Sequence, residues 1–432
     1  MSSTDAPADD AAGPRARWRR WELRLIAVAC ALAVVHVVDE RLVRTPEGVD
    51  RGTGLLPVVA LVTGAALAVL AAHVVRPVVV APLLGALGGV FVGDGGAHIA
   101  HLTGGEVDGL DVTGAPAGAS GVVLLLLAAV GAFRRARNTN RTRWRWADRV
   151  VTLVVVVAVA AYLLVPVVIG TVQVHLPRRP VASPPTAEFL AVTLHAEDGP
   201  ALQAWYRPSR NGAAVMVLNS ARGDHRGSTD HARLLADAGY GVLIYDARGT
   251  GGSEGAPNGW GWTWLPDVEA GVDFLAGRRE VVAGNIGLLG LSTGADVALE
   301  AAAVDARVRV VVADGATAQG LADLSSGWSS VVSAWPMYAT AELLSGRGAA
   351  PPLADAIRAI GPRPVLLVAA GSIPQEIPFN RRYAAAGGDT VELWELPDVH
   401  HTSGLSSRPE EYADRVLGQL DEALLGSSGS SG

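Results

Sequence analysis

The apolar positions of the chain follow two regimes that meet near residue 180. Up to about residue 175 they run together in long Ala/Val/Leu blocks; from about Pro185 they come in short runs divided by polar, Gly- and Pro-rich turns. Five blocks of the first regime reach the roughly 20 residues that a helix needs to cross a bilayer. They are Trp21–Leu42, Leu55–Val75, Pro77–Leu102, Ala115–Phe133 and Val150–Val172. The first has the shortest uninterrupted apolar run and needs its flanking residues. A cleaved signal peptide is the alternative for it, but no small-residue cleavage site follows and more spans come after.

In the second regime the runs read as strands: EFLAVTLHA, ALQAWYRP, AAVMVLN, GVLIYD, NIGLLGL, VRVVVADG, RPVLLVAAG and VELWELP. Amphipathic stretches such as DHARLLADAG, LPDVEAGVDFLAG and ADVALEAAAV lie between the later ones. Strands alternating with helices predict crossover units and a mostly parallel sheet, with the first two strands pairing antiparallel at one edge. The expected organisation is a disordered opening over 1–20, a bundle of about five transmembrane helices over 21–175, an α/β domain over 185–425 and a flexible tail or linker over 426–432.

Charge refines the picture. The 432 residues carry 35 Lys and Arg against 42 Asp and Glu, a formal −7, with no basic stripe of the kind that nucleic acid requires. The single cysteine, Cys30, excludes an intrachain disulfide. Arginines sit in particular loops. Arg15, Arg17, Arg19, Arg20 and Arg24 surround the start of the first block, and RRARNTNRTRWRWADR between the fourth and fifth holds seven against one aspartate. The loop TGGEVDGLDVTG between the third and fourth blocks is acidic. Positive loops stay in the cytoplasm, so the amino terminus is expected there, and five crossings put everything after His175 outside. Arg178 and Arg179 pull weakly the other way.

Ionisable residues inside the apolar blocks are unusual. Asp94, His98 and His101 share one helix face at i, i+4, i+7; His36 and Asp39 end the first block, and His175 follows the fifth. Such groups either form a metal or proton site or hydrogen-bond between helices near a wet interface.

Chemistry of another kind is written in the second regime. G-x-S-x-G occurs twice, as Gly290-Leu-Ser292-Thr-Gly294 and Gly251-Gly-Ser253-Glu-Gly255. Ser292 stands directly after a strand and before a helix, the setting that lifts a serine hydroxyl clear of a sheet at a helix amino terminus. Ser253 lies several residues past its strand with no helix after it and reads as a structural turn. A nucleophilic serine needs a base and an orienting acid. His400 and His401 in LPDVHHTSGL follow the last strand, whereas His195, His225 and His231 all precede Ser292. Glu376 follows the penultimate strand; Asp389 leads into a strand, and Asp398 is too near the histidines. The chain order is then Ser292, Glu376, His401.

Residues from about 185 to 425 resemble the α/β-hydrolases, the serine esterase and lipase superfamily. The resemblance rests on the elbow GLSTG, the turn YDARGTGGSEG (similar to D-x-R-G-x-G-x-S) and the terminal P-x-x-x-H loop, which selects His401 over His400. It implies an oxyanion hole from the Thr293 N–H and one donor in the loop after the third strand. That loop, usually H-G-x-G-G, here reads Asn219-Ser-Ala221-Arg-Gly223, which points to Ala221 with Ser220 and Arg222 as neighbours. The implied chemistry is acyl transfer to water from a small ester or lipid-like substrate at the bilayer, with no metal or organic cofactor. An acyltransferase on the same triad, or a sensor that keeps the fold without turnover, are the rival readings. The segment before RPVLLVAAG is where a lid is expected. Trp328, Trp335 and Met337 there either line an acyl pocket or pack a helix on the sheet; Trp260, Trp262 and Trp264 edge the site, face lipid or fill the core.

Overall fold

A computed structural model describes residues 17–44, 51–104, 111–133, 166–175, 184, 186–221, 224–324 and 328–426. The chain divides into two compact units, Met1–Thr45 with Arg51–Val172, and Pro46–Asp50 with Gln173–Gly432.

The first unit is helical: α1 (Arg20–Val38) with a π-turn at Asp39–Val43, α2 (Arg51–Val74), α3 (Pro77–Gly104), α4 (Asp111–Phe133) and α5 over 166–173. Among the described residues two helices, Arg20–Val38 and Val112–Gly131, are long and apolar enough to cross a membrane, where five were expected. Shorter apolar helices run over Val58–Val74 and Val79–Val92 among the described residues. Most of the fifth expected span lies outside the described residues.

On α1, Leu25, Val28, Leu32 and Val35 are exposed while Ile26, Ala29, Ala33 and Val37 are buried, so the helix is apolar on every side. His36 Nδ1 lies 3.1 Å from Thr113 Oγ1, whose hydroxyl donates to Asp39 Oδ2 at 2.9 Å, a polar tie between α1 and α4. The side chains of Asp94, His98 and His101 lie outside the described residues. Among those described, no cluster of three His, Cys, Asp or Glu is arranged to hold a metal.

The second unit is one eight-stranded sheet in the order β1-β2-β4-β3-β5-β6-β7-β8. Its strands are β1 (Leu190–His195), β2 (Ala201–Arg207), β3 (Ala214–Leu218), β4 (Gly241–Tyr245), β5 (Ile286–Leu291), β6 (Val308–Asp314), β7 (Val365–Ala370) and β8 (Val391–Leu396). β1 and β2 pair antiparallel at one edge, β2 meets β4 antiparallel, and every other pairing is parallel. Central strands covered on both faces read as unbroken apolar runs, and β3, β4 and β5 are buried throughout.

On one face α6 (Thr229–Asp237) and α13 (Pro409–Leu424) cover Val215, Val217, Ile244, Leu289, Val310 and Val312. On the other, α7 (Leu265–Ala276), α8 (Thr293–Val304), α10 (Leu353–Ile360) and α11 (Glu376–Gly387) cover Met216, Leu243, Leu288 and Val311. α9 (Trp328–Ser345) lies between β6 and α10 in sequence, and the short α12 (Gly404–Ser407) precedes α13.

One buried histidine makes this unit acid-sensitive. His231 on α6 has both ring nitrogens buried without a partner, and burial pulls its pKa from 6.5 to about 4. The folded protein therefore binds that proton less readily than the unfolded chain. Stability is full above pH 6.5 and falls as pH drops towards 4, by about 3 kcal/mol at this one residue. Thermal unfolding across that range should show the loss in wild type and a flatter profile in His231→Phe. An equal slope in both would refute the assignment.

Candidate active site

Every strand from β3 to β8 delivers its carboxyl end to the same edge of the sheet, because all six run parallel. β3 and β5 are neighbours, with Leu218 opposite Gly290, although β4 intervenes in sequence. The chain reverses its direction of travel there, and that opens a crevice at the carboxyl ends of these two strands.

Ser292 occupies the crevice. It is the bend between β5 and α8, with φ 54° and ψ −119°, one of only two non-glycine residues at positive φ among those described. Such a backbone costs about 1–3 kcal/mol and persists only where its surroundings enforce it. Two glycines make the corner possible. A Cβ at Gly290 would lie 2.1 Å from the Gly294 carbonyl oxygen, and one at Gly294 would lie 2.5 Å from that of Leu218. The spacing G-x-S-x-G is thus a statement about backbone contact, and Gly294→Ala is expected to open the turn.

The imidazole arrives from the loop after β8. His401 Nε2 is 2.8 Å from Ser292 Oγ, and His401 Nδ1 is 2.7 Å from Glu376 Oε2. Glu376 is wholly buried; its Oε1 accepts from the Ala370 N–H at the end of β7. His401 is held by its own N–H, which donates to Ser372 Oγ at 2.8 Å. The structure thus brings Ser292, His401 and Glu376 into one hydrogen-bonded line. It leaves the rivals out: His400 and Asp389 are exposed, and Asp398 pairs with Arg408.

Thr293 opens α8, where the first N–H groups have no partner within the helix and a developing anion is favoured. Its hydroxyl donates to the Gly259 carbonyl at 3.0 Å. Ser220 and Ala221 are half-buried just past β3, and Asn219 behind them clamps the loop by donating to the Tyr245 carbonyl at 2.6 Å. Arg222 and Gly223 lie outside the described residues.

The second G-x-S-x-G has a different task. Ser253 Oγ accepts from the Gln203 N–H and donates to the Asp246 carbonyl. Asp246 in turn holds the His225 ring and the Gly252 N–H, while Arg248 pairs with Asp198 and Asp267. This turn is a buried polar knot that fixes β2 to β4.

The aromatic residues sort differently from any single sequence expectation. Trp260, Trp262 and Trp264 are all buried; the first two stack at 5.2 Å, and Tyr338 on α9 joins them at 5.6 and 6.2 Å. Trp335 is 55% exposed, Met337 is partly buried, and the Trp328 side chain lies outside the described residues. Tyr338 carries no motif and only its position on α9 reveals it. Its hydroxyl donates to the Ala318 carbonyl, tying α9 to the loop after β6.

An eight-stranded, mostly parallel sheet with a serine elbow after β5 is the α/β-hydrolase fold. Residues 190–359, which contain Ser292, match the X-Pro dipeptidyl-peptidase (S15) family. The chain is 28% identical over 282 residues to the uncharacterized protein YfhR of Salmonella typhi, an alignment covering 62% of this chain and 93% of that protein. It is 35% identical over 111 residues to the uncharacterized protein Rv2307c of Mycobacterium tuberculosis, covering 25% of this chain and 39% of the other. Among solved structures it is similar to the Pyrococcus furiosus esterase Pf2001, at 24% identity and TM-score 0.48, over 58% of this chain and 98% of that one.

Proposed function

We propose that the chain is a membrane-anchored serine hydrolase that cleaves an ester or thioester through an acyl-enzyme, with its catalytic half outside the cytoplasm. The observation that carries this reading is the line from Ser292 Oγ through His401 to Glu376 at a strained corner. His401 Nε2 takes the hydroxyl proton as Ser292 attacks the substrate carbonyl, and Glu376 steadies the imidazolium at Nδ1. The Thr293 N–H and a donor from the loop after β3, Ala221 by position, face the oxyanion. His401 then passes the proton to the leaving alcohol or thiol, and water repeats the cycle to free the acid.

Anchoring is supported by the helices Arg20–Val38 and Val112–Gly131 and by the apolar stripe that α1 leaves exposed. The arginine-rich loops support a cytoplasmic amino terminus and a multi-pass first unit. The similarity of 190–359 to the S15 family favours a peptide amide as the second substrate reading.

One labelling experiment tests both halves of the proposal. A membrane-impermeant fluorophosphonate should label the protein in intact cells, and Ser292→Ala should abolish the signal. No labelling even in opened membranes would remove the hydrolase reading. Labelling only after the membranes are opened would reverse the orientation and leave the chemistry standing.

A further inference from the structure

One residue before the glycine that the His401 ring packs against stands a second carboxyl, which the mechanism above does not use. Asp314 ends β6, and its backbone carbonyl accepts the Ser292 N–H at 2.8 Å. The next residue, Gly315, has φ +82°, and a Cβ there would stand 2.7 Å from His401 Cε1. One dipeptide thus supports the nucleophile's backbone on one side and the edge of the base on the other. The Asp314 side chain turns to the α13 face of the sheet, where Tyr412 donates its hydroxyl to Oδ2 at 3.0 Å.

Resting on the hydrolase reading, we propose that Asp314 is a positioning residue for the base. Its buried carboxylate favours the imidazolium that His401 becomes when it takes the Ser292 proton.

The surroundings give that charge a long reach. Asp314 is 1% exposed, so little water screens it. The ionisable groups around it are few: Tyr412 from α13, His231 from α6 with its ring set edgewise against Tyr412, Glu376 from α11, and His401 from the loop after β8. His231 is neutral above about pH 4 and adds no charge to the cluster at working pH. Burial pushes the Asp314 carboxyl up to about 7; the Tyr412 hydroxyl and His401 pull it down, and Glu376 pushes it further up. A charge on Asp314 acts on the imidazolium, so the acid limb of activity reports the two groups together. An ionised Asp314 holds the imidazolium to higher pH. Its loss moves the limb down and weakens the base in the transition state.

The test uses the whole chain in detergent, with Asp314→Asn, which keeps an acceptor for Tyr412, and Tyr412→Phe, which weakens the ionised form. The first readout is the rate of Ser292 phosphonylation by a fluorophosphonate across pH 5–9. Asp314→Asn should shift the acid limb down by about half a pH unit and slow the plateau about threefold, and Tyr412→Phe should shift it the same way by less. A purely structural role would lower the melting temperature and leave the limb in place, and that result overturns the inference while the hydrolase stands. The second readout is the His401 ring titration by NMR of 13C-histidine protein, which needs no turnover. If wild type fails to react, the hydrolase reading falls, and an unchanged His401 titration in Asp314→Asn would then reject the inference separately.

Discussion

Replacing Ser292 with alanine should lower kcat on a p-nitrophenyl ester by about a millionfold, to the rate of the oxyanion hole and binding alone. His401→Ala should do the same, and the double variant should be no slower than either. The physical reason is that one proton moves along one line: Ser292 Oγ to His401 Nε2 is 2.8 Å, and neither group has a task without the other. Folding should survive both changes, because Ser292 and His401 are only partly buried. Steady-state rates together with circular dichroism check this. Turnover by Ser292→Ala within a hundredfold of wild type, or losses that multiply in the double variant, would rule out a shared proton path.

Glu376→Gln should reduce kcat by about ten-thousandfold at neutral pH while leaving the fold intact. Glu376 Oε2 accepts from His401 Nδ1, which fixes the tautomer that presents a bare Nε2 to the serine. An amide of the same shape can keep the bond from the Ala370 N–H but can turn a donor towards Nδ1, and the ring then offers Ser292 the wrong nitrogen. Glu376→Ala should be worse for stability, because it leaves the buried Ala370 N–H without its acceptor, at about 1–3 kcal/mol. Comparing kcat and melting temperature of the two variants separates the effects. A glutamine variant within tenfold of wild type would mean that another group orients the ring.

Much of the site was legible in the sequence because its constraints are local. The elbow needs a strand, two positions without side chains and a helix start, all within a few residues, so GLSTG in its context points to Ser292. The loop after the last strand offered both His400 and His401, and the choice of His401 came from the resemblance to the α/β-hydrolases, whose terminal P-x-x-x-H it matches. Asp314 escaped notice because VRVVVADG reads as a strand with a polar end, and nothing in that run tells of a tyrosine 98 residues away donating to it. Tyr338 escaped for the same cause.

The first unit shows the opposite limit. Counting apolar residues gave five spans, whereas among the described residues two helices have the full apolar length and two, Val58–Val74 and Val79–Val92, are shorter.

By itself the amino-acid order determined the change of regime near residue 180, the eight strands and their alternation with helices, and the serine at the corner. These follow from periodicity and from backbone space, which neighbours in sequence control. Only the tertiary structure decided which groups Ser253 engages, and how Glu376, already favoured by its place after the penultimate strand, is held buried 2.7 Å from the imidazole. It alone set a buried carboxyl one residue from the glycine against which the base packs. Distances between residues a hundred positions apart depend on how parallel strands line up their carboxyl ends, and no local pattern records that alignment.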